Sequence, residues 1–231
     1  MIAGILLAGG RGERTNSKVP KQFIKLEDKY LFEYPLESFE RSNIFEHIVL
    51  VVPEDWGDFV KARVSTGIHV IAGGNTRSES VRNALNFLEK FKPDFVVIHD
   101  VSRPFLKLSL LRRIVKSVLE KGAVTAALSC VDAMVELENF AYVNRERFVR
   151  IQTPQAFRYD IIKKAHEKRK NWKDDTQPVV ECGFSVEFVE GDPFCFKVTY
   201  EEDIELARVI ASRWHAIFEK DASLPKDFLQ R

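Results

Sequence analysis

The fold class is indicated first by the segment Ile2-Ala3-Gly4-Ile5-Leu6-Leu7-Ala8-Gly9-Gly10-Arg11-Gly12. Its apolar part, residues 2–8, is typical of a short strand buried in a parallel sheet. Three glycines follow, and glycine permits positive φ and a close approach of the backbone to a ligand. Because open α/β sheets bind ligands at the carboxyl ends of their strands, the turn predicts an anion site made of backbone N–H groups.

A cluster of basic residues occupies and follows this turn. Arg11, Arg14, Lys18 and Lys21 all lie within eleven positions. A purely structural turn has no need of clustered cations, so the pattern favours a bound phosphate. The spacing matches neither the G-x-x-x-x-G-K-[ST] of a P-loop nor the G-x-G-x-x-G of a dinucleotide-binding turn, and neither of those sites is predicted.

Apolar runs of the same kind recur along the chain and alternate with segments of helical spacing. The alternation predicts an α/β fold with a Rossmann-like, mostly parallel sheet and helices on both faces, in one domain over residues 1–231. Chain order alone leaves the order of the strands open. Strands are predicted at residues 2–8, 47–52, 68–72, 95–98, 124–128 and 185–189, and helices at 31–39, 59–64, 81–88 and 110–119 and from about 161 and 201 onward.

The pattern changes after Cys130. Apolar and charged residues alternate between residues 133 and 149 without a helical period, and Asn139 interrupts them. Such alternation is typical of paired strands. We therefore predict a β-hairpin arm over about residues 131–150.

The composition excludes several classes of protein. Lys and Arg number 35 against 34 Asp and Glu, a formal net charge of +1, so no global field favours nucleic acid or a membrane surface. The three cysteines are too few and too far apart for a disulfide framework or a zinc knuckle, which fits a reducing cytosol. No stretch approaches the roughly 20 apolar residues of a membrane span, and no secretory n-region precedes the first apolar run. We expect a soluble, cytoplasmic protein.

Several motifs match a known group of enzymes. The glycine turn, with Arg14, and the Pro20-Lys21-Gln22 that follows it resemble the signature of the nucleotidyltransferases that activate sugar and polyol phosphates. Further matching segments are Gly73-Gly74-Asn75-Thr76-Arg77-Ser78-Glu79-Ser80-Val81, His99-Asp100-Val101-Ser102-Arg103-Pro104, and Thr153-Pro154-Gln155 with Lys197-Val198-Thr199. Together, over nearly the whole chain, the motifs resemble the methylerythritol phosphate cytidylyltransferase family of the non-mevalonate isoprenoid pathway.

The resemblance implies a nucleotidyltransferase fold and a specific reaction. A cytidylyl group would pass from CTP to a polyol phosphate, 2-C-methyl-D-erythritol 4-phosphate, with release of pyrophosphate. Negative charge accumulates at the α-phosphorus in such a transfer, so cations must already be in place. The resemblance assigns this catalytic role to Arg14 and Lys21, with Lys197 as a further catalytic residue beside the acceptor.

The resemblance also implies where the nucleotide binds. The matching aspartate of related enzymes lies close to the nucleotide and to Mg²⁺, so Asp100 is the implied metal residue, whether it holds the ion directly, through water or not at all. The family often has an acidic residue at the position of Asn75, which leaves a base contact by that side chain open. The implied nucleotide-binding residues are Leu7, Ala8, Gly9, Gly10, Gly74, Asn75, Ser80 and Asp100.

For the acceptor, the resemblance implies Arg145, Thr153 and Lys197. In the family the arm crosses a two-fold homodimer, so that Arg145 would reach the neighbour's site. Arg103 either contacts a ligand or orients its loop. Lys173-Asp174-Asp175 replaces the family's Thr-Asp-Asp/Glu, and its two acids either orient substrate hydroxyls or cap the next helix.

Other functions remain open from the sequence. A ribitol 5-phosphate cytidylyltransferase shares the glycine turn and the Pro-Lys-Gln, and it differs in the acceptor pocket. A non-catalytic nucleotide-binding protein of the same fold is a second alternative, although retention of the implied catalytic residues argues against it. A sugar 1-phosphate nucleotidyltransferase would more often have Pro-Lys-Pro.

Overall fold

The protein contains a central sheet of seven strands. Its structure is a computed structural model that describes residues 1–10 and 19–223. No helix within these ranges is long and apolar enough to cross a membrane. Numbered in chain order, the strands of this sheet are β1 Ile2–Leu7, β4 His47–Val52, β5 Ile68–Ala72, β6 Phe95–Asp100, β7 Ala123–Ser129, β10 Val149–Arg158 and β11 Glu187–Glu190. Two small antiparallel hairpins pair β2 Lys25–Leu26 with β3 Lys29–Tyr30, and β8 Met134–Val135 with β9 Tyr142–Val143.

The strand order brings the carboxyl ends of β1 and β6 together. The order is β11-β7-β10-β6-β1-β4-β5, and every neighbouring pair is parallel except the two that β10 makes. From β1 the chain adds β4 and β5 on one side and then crosses to β6 on the other. Leu7 pairs with Asp100, so the glycine turn after β1 and the loop after β6 lie side by side. Open α/β sheets bind ligands where the strand order reverses in this way.

Helices cover both faces of the sheet, as the sequence predicted. They are α1 Glu33–Ser42, α2 Gly57–Lys61, α3 Arg77–Leu88, α4 Leu108–Lys121, α5 Tyr159–His166, α6 Thr176–Glu181 and α7 Glu201–Ala222. Leu6 of β1 belongs to an apolar cluster with α1, α2 and α4, whereas the neighbouring Ile5 belongs to a cluster with α3, α5 and α6. Successive side chains of one strand thus serve opposite layers of the fold. A third apolar cluster, which includes Phe105 and Trp214, packs α7 against the rest of the fold.

The sequence did not predict β10. Its apolar pattern is broken by Gln152, Thr153 and Gln155, all of which are buried. The structure satisfies these polar groups internally, since Gln152 Nε2 donates to the carbonyl of Cys195 and Gln155 Nε2 donates to Thr125 Oγ1, each at 3.0 Å. Polarity patterns cannot reveal such partners in advance. The predicted strands and the longer predicted helices are confirmed, with differences of a few residues at their ends.

The predicted arm is a short hairpin. Its pairing is limited to β8 and β9, and a 3₁₀ turn, Arg145–Arg147, precedes β10. Large apolar side chains of this segment face solvent, with Leu137 96% and Tyr142 75% exposed. The arm, residues 131–150, therefore presents apolar surface that the described part of its own chain leaves uncovered.

Two histidines meet near the amino ends of β4 and β5. His47 Nδ1 lies 3.3 Å from His69 Nε2, and the His47 ring stacks on Phe91 with the ring centroids 3.8 Å apart. Burial lowers the pKa of His69, and the proximity of His47 and Lys90 lowers it further. The folded chain therefore favours the neutral form of His69.

We expect acid to destabilise the protein through this pair. An unfolded chain protonates histidine near pH 6.5, so it binds more protons than folded His69 does, and stability is lost as the pH falls below about 6.5. Because His69 is partly exposed, solvent screens its interactions and the effect is small. In urea unfolding on either side of that pH, His69→Gln should show a smaller pH dependence than wild type. His215→Gln is the control, because that side chain is 88% exposed; equal pH dependence in all three proteins would exclude His69 as the source.

Candidate active site

A cavity of about 680 Å³ opens at the carboxyl ends of β1 and β6. Its wall includes every predicted nucleotide-binding residue, together with Lys21 and Lys197. Its remaining wall residues are Gln22, Thr76, Arg77, Val101, Ser102 and Thr199. Arg14, with the rest of residues 11–18, lies outside the part of the chain that the structure describes, and its catalytic role stays a prediction.

Gln22 holds the glycine turn in its conformation. Its side chain is buried, and Nε2 donates to the carbonyl oxygen of Ala8 at 2.6 Å and to that of Gly10 at 2.7 Å. The N–H groups of Gly9 and Gly10 make no hydrogen bond to another described residue. The turn therefore directs carbonyls toward Gln22 and leaves backbone donors for another partner. The sequence motif contains Gln22, but only the structure reveals this contact.

Ser80 connects the two glycine turns of the wall. Its Oγ accepts from the N–H of Gly74 at 3.1 Å and donates to the carbonyl of Thr76 at 3.0 Å. A Cβ on Gly9 would lie 3.2 Å from this Oγ, and a Cβ on Gly73 would lie 3.0 Å from it. A side chain at either glycine would therefore crowd the hydroxyl of Ser80, which is itself buried.

Asp100 lies between two cations at the end of β6. Its Oδ1 accepts from Arg77 Nε at 3.0 Å, and its Oδ2 accepts from Lys197 Nζ at 2.7 Å. Burial alone would raise the pKa of Asp100, but the charges of Arg77 and Lys197 outweigh burial and hold the pKa well below its usual range. Asp100 is therefore a carboxylate at neutral pH.

Lys21 reaches the same cavity from the segment that follows the glycine turn. It begins a 3₁₀ turn, and its Nζ donates to the carbonyl of Val198 at 2.7 Å. The N–H of Val198 in turn donates to the carbonyl of Ser102 at 2.7 Å, which joins the segment before α7 to the loop after β6. Lys21 is thereby placed beside Lys197. Among the described residues, the charged groups of the wall are the cations Lys21, Arg77 and Lys197 and the carboxylate Asp100.

Thr153 and Arg103 lie behind the cavity wall. Thr153 is buried, and its Oγ1 accepts from the N–H of Asp100 at 3.1 Å. Burial lowers the pKa of His99 to about 4, so its ring is neutral; Nε2 donates to the carbonyl of Arg103 at 2.9 Å, and Nδ1 accepts from the Thr153 hydroxyl at 3.1 Å. Arg103 Nη1 donates to the carbonyl of Cys195 at 2.9 Å. In this conformation both side chains support the wall instead of facing the cavity.

Arg145 lies away from the cavity of its own chain. It is exposed on the arm, where its guanidinium donates to the carbonyl of Val131. A residue that serves a neighbouring subunit's site would be separated from its own site in this way. Its predicted role in trans stays a prediction.

Asp174 and Asp175 have different surroundings. Asp174 Oδ1 accepts from the N–H groups of Thr176 at 2.7 Å and Gln177 at 3.3 Å, which are the first two residues of α6. Asp175 is fully buried, and its Oδ2 accepts from Arg77 Nη2 at 2.8 Å. The sequence motif included Arg77 but gave it no role. The sequence offered one indication of a role for Arg77, which is that it is the one basic residue in positions 73–81.

The fold and the cavity together define a class of protein. A glycine turn and three cations around one cavity, at the carboxyl edge of a mostly parallel sheet, are features of an α/β enzyme that binds nucleotide phosphates. The family model for 2-C-methyl-D-erythritol 4-phosphate cytidylyltransferase (IspD) matches residues 2–213, and the chain belongs to this family. It is therefore a cytidylyltransferase of isoprenoid biosynthesis, which confirms the prediction from the motifs.

Individual relatives are similar along almost the whole chain. The 2-C-methyl-D-erythritol 4-phosphate cytidylyltransferase of Thermotoga neapolitana is 48% identical over 221 residues, which cover 94% of this chain and 100% of that protein. The enzyme of the same name from Caldicellulosiruptor bescii is 36% identical over 217 residues, 90% of this chain and 96% of that protein. The structure of 4-diphosphocytidyl-2C-methyl-D-erythritol synthase from Anaerococcus prevotii has a TM-score of 0.81 at 26% identity, covering 92% of this chain and 98% of that one. This likeness confirms the predicted fold class.

Proposed function

We propose that the cavity at the carboxyl ends of β1 and β6 is the active site. There the chain would join CTP and 2-C-methyl-D-erythritol 4-phosphate to form 4-diphosphocytidyl-2-C-methyl-D-erythritol and pyrophosphate. One observation carries the proposal: the glycine turn with Lys21, the end of β6 with Asp100, and the segment with Lys197 are distant along the chain but converge on one cavity. The cavity's volume of about 680 Å³ lies within the range of small-molecule sites.

The nucleotide lies, in this proposal, between the two glycine turns. The N–H groups of Gly9 and Gly10 and the ammonium of Lys21 bind its phosphates, because backbone donors and a point charge both suit phosphate oxygens. The N–H of Gly74 is already bonded to Ser80, so recognition of the base falls to carbonyl oxygens of this turn and to the side chain of Asn75. The exocyclic amino group of cytosine is a donor and complements a carbonyl.

The transfer reaction depends on positively charged groups that are already in position, and it does not require a general base. An oxygen of the acceptor phosphate attacks the α-phosphorus of CTP, and the bond from the α-phosphorus to the bridging oxygen of the departing pyrophosphate breaks. The acceptor phosphate is already ionised, so no deprotonation is required. Arg14 and Lys21 stabilise the charge that develops at the α-phosphorus. Lys197, held by Asp100, orients the acceptor phosphate.

In this proposal Asp100 is the residue of the described wall that would hold a Mg²⁺ ion brought by the triphosphate. Among the described residues, no group of three or more His, Cys, Asp or Glu side chains could hold a metal ion. Asp100 is the one carboxylate on the described wall, and both of its oxygens already accept from cations. This donor set fits an ion that phosphate oxygens would hold together with Asp100. Such an ion would supply charge neutralisation to the triphosphate.

The arm supports a homodimer of single-domain chains. Leu137, Phe140 and Tyr142 are between 71% and 96% exposed, and an apolar cluster of this kind marks an interaction surface. Packing of the arm on a second copy would form a symmetric contact and carry Arg145 toward the partner's acceptor site. Arg103 and Thr153 then act on the acceptor through the segments that they support.

We expect disruption of the arm to yield monomers. Replacement of both Leu137 and Phe140 by aspartate puts charge into the proposed contact, so sedimentation at micromolar concentration should shift from dimer to monomer with loss of activity. Val209→Asp is the matched control, since Val209 is 66% exposed on α7. A wild-type protein that is a fully active monomer at high dilution would contradict the role of Arg145 in trans.

The function itself is tested by pyrophosphate release with CTP and Mg²⁺, with either 2-C-methyl-D-erythritol 4-phosphate or ribitol 5-phosphate as the acceptor. We expect turnover with the methylerythritol acceptor and little with the ribitol acceptor. Turnover with ribitol 5-phosphate alone would replace the proposed substrate. Nucleotide binding without turnover on either acceptor would favour a non-catalytic protein.

A further inference from the structure

A line of four charged side chains and one histidine runs from the cavity into the interior. Its contacts are 2.7 Å from Lys197 Nζ to Asp100 Oδ2, 3.0 Å from Arg77 Nε to Asp100 Oδ1, 2.8 Å from Arg77 Nη2 to Asp175 Oδ2, and 3.2 Å between His166 Nε2 and Asp175 Oδ1. We call these five residues the Asp100 network. Its first three members reach the cavity wall, whereas Asp175 and His166 are enclosed by protein.

Asp175 is a charged group with no access to a ligand. It is 0% exposed, and although burial would raise its pKa, Arg77 and His166 hold the pKa below its usual value. Its N–H donates to Gln155 Oε1 at 3.0 Å, which anchors it to β10. Stability is a weak explanation for such a group, because apolar residues can often replace buried ion pairs without loss. A role in placing Arg77 is the stronger explanation.

Arg77 is fixed from two sides. The guanidinium is planar, so the donor to Asp100 and the donor to Asp175 keep a constant geometry. The third nitrogen, Nη1, is buried and has no hydrogen-bond partner among the described residues. Arg77 is thus oriented by its two carboxylates at the expense of one of its own donors.

We propose that Arg77 and Asp175 are positioning residues for the transfer reaction. Asp175 fixes Arg77, Arg77 binds Oδ1 of Asp100, and Oδ2 stays directed at Lys197. The inference rests on the proposed function, in which Lys197 orients the acceptor phosphate. Without the charge of Asp175, Arg77 turns further toward Asp100 and competes with Lys197 for it. A displacement of about 1 Å at a reacting group can cost about a hundredfold in rate.

A double-mutant cycle of Arg77→Gln and Asp175→Asn tests the proposal through pyrophosphate release. We expect each single variant to lower kcat by about tenfold or more per folded molecule. In Asp175→Asn both KM values should stay within about threefold of wild type, because Asp175 does not touch a substrate. The kcat of the double variant should be no lower than that of the more impaired single variant, since the two residues act as a unit.

The matched control is Asp221→Asn. Asp221 is also a buried aspartate, but it lies in α7 outside the cavity wall and accepts from the N–H of Ser109 at 2.9 Å. Its replacement should lower the Tm and leave kcat unchanged. Wild-type kcat in Asp175→Asn, or multiplicative losses in the double variant, would overturn the proposal. If Asp175→Asn does not fold, Arg77→Lys replaces it in the test, because lysine keeps the positive charge but lacks the two guanidinium donors that contact Asp100 and Asp175. A wild-type kcat in Arg77→Lys would also overturn the proposal.

A second measurement is independent of turnover. Acylation of Lys197 in the protein without substrates, followed by mass spectrometry of the Lys197 peptide, reports how firmly Asp100 holds the ammonium. Lys197 should react severalfold faster in Asp175→Asn than in wild type, and at the wild-type rate in Asp221→Asn. Equal rates in all three proteins would overturn the proposal. A wild-type protein with no pyrophosphate release would refute the proposed function alone, since the acylation rates would still decide the role of Asp175.

Discussion

Lys21→Ala is expected to lower kcat for pyrophosphate release by about a hundredfold or more, which corresponds to about 2.7 kcal/mol of transition-state stabilisation. The ammonium of Lys21 is held at the cavity by the carbonyl of Val198, at 2.7 Å, beside the glycine turn. In the proposed reaction it meets the charge that develops as pyrophosphate leaves, and alanine offers no replacement for that charge. The measurement is steady-state kcat together with the Tm.

Lys25→Ala is the matched control for this prediction. Lys25 is exposed on β2 and lies outside the cavity wall, and its replacement makes the same change in net charge. Its kcat should equal that of wild type, and both variants should keep a wild-type Tm. A Lys21→Ala enzyme with kcat within about threefold of wild type would remove Lys21 from the catalytic residues.

Lys197→Ala is expected to reduce kcat/KM for the acceptor by about a hundredfold, with the KM for CTP changed much less. Two effects act in the same direction. The acceptor phosphate loses a cation, and Asp100 loses the partner that lies 2.7 Å from its Oδ2, so an ionised carboxylate then faces an incoming dianion. Initial rates measured at varied concentrations of each substrate separate the two KM values.

Lys107→Ala is the matched control here. Lys107 also pairs with an aspartate, at 2.8 Å from Asp192 Oδ2, but it lies outside the cavity wall. Its loss should leave both KM values near those of wild type. If the Lys197→Ala defect occurred only in the KM for CTP, Lys197 would belong to the nucleotide half of the site.

The fold was largely predictable because most of its strands are short apolar segments. The boundaries predicted for β4 and β5 match the structure, since both strands are short apolar or β-branched runs between polar turns. Strand β10 was not predictable in this way. Its buried Gln152, Thr153 and Gln155 are paired with groups from other elements, so their polarity resembled that of a loop.

The candidate site was predictable where backbone chemistry or charge defines it. Gly9, Gly10 and Lys21 are recognisable from their order along the chain, and the structure places all three on one cavity. The positions of Thr153 and Arg103 were not predictable, because a motif does not show whether a side chain faces a cavity or supports its wall from behind. The role of Arg14 stays a prediction from the sequence.

The class of fold, the family and the glycine turn as a phosphate-binding candidate were all predictable from the amino-acid sequence, because they depend on local pattern and on ordered motifs. Which charged groups are neighbours became known only from the three-dimensional arrangement. Arg77, Asp100, Asp175 and Lys197 lie on separate elements, and their contacts of 2.7 to 3.0 Å exist because the sheet and α3 bring those elements together. Electrostatic coupling depends on the distance between the groups and on their burial, and neither quantity can be obtained from the order of residues along the chain.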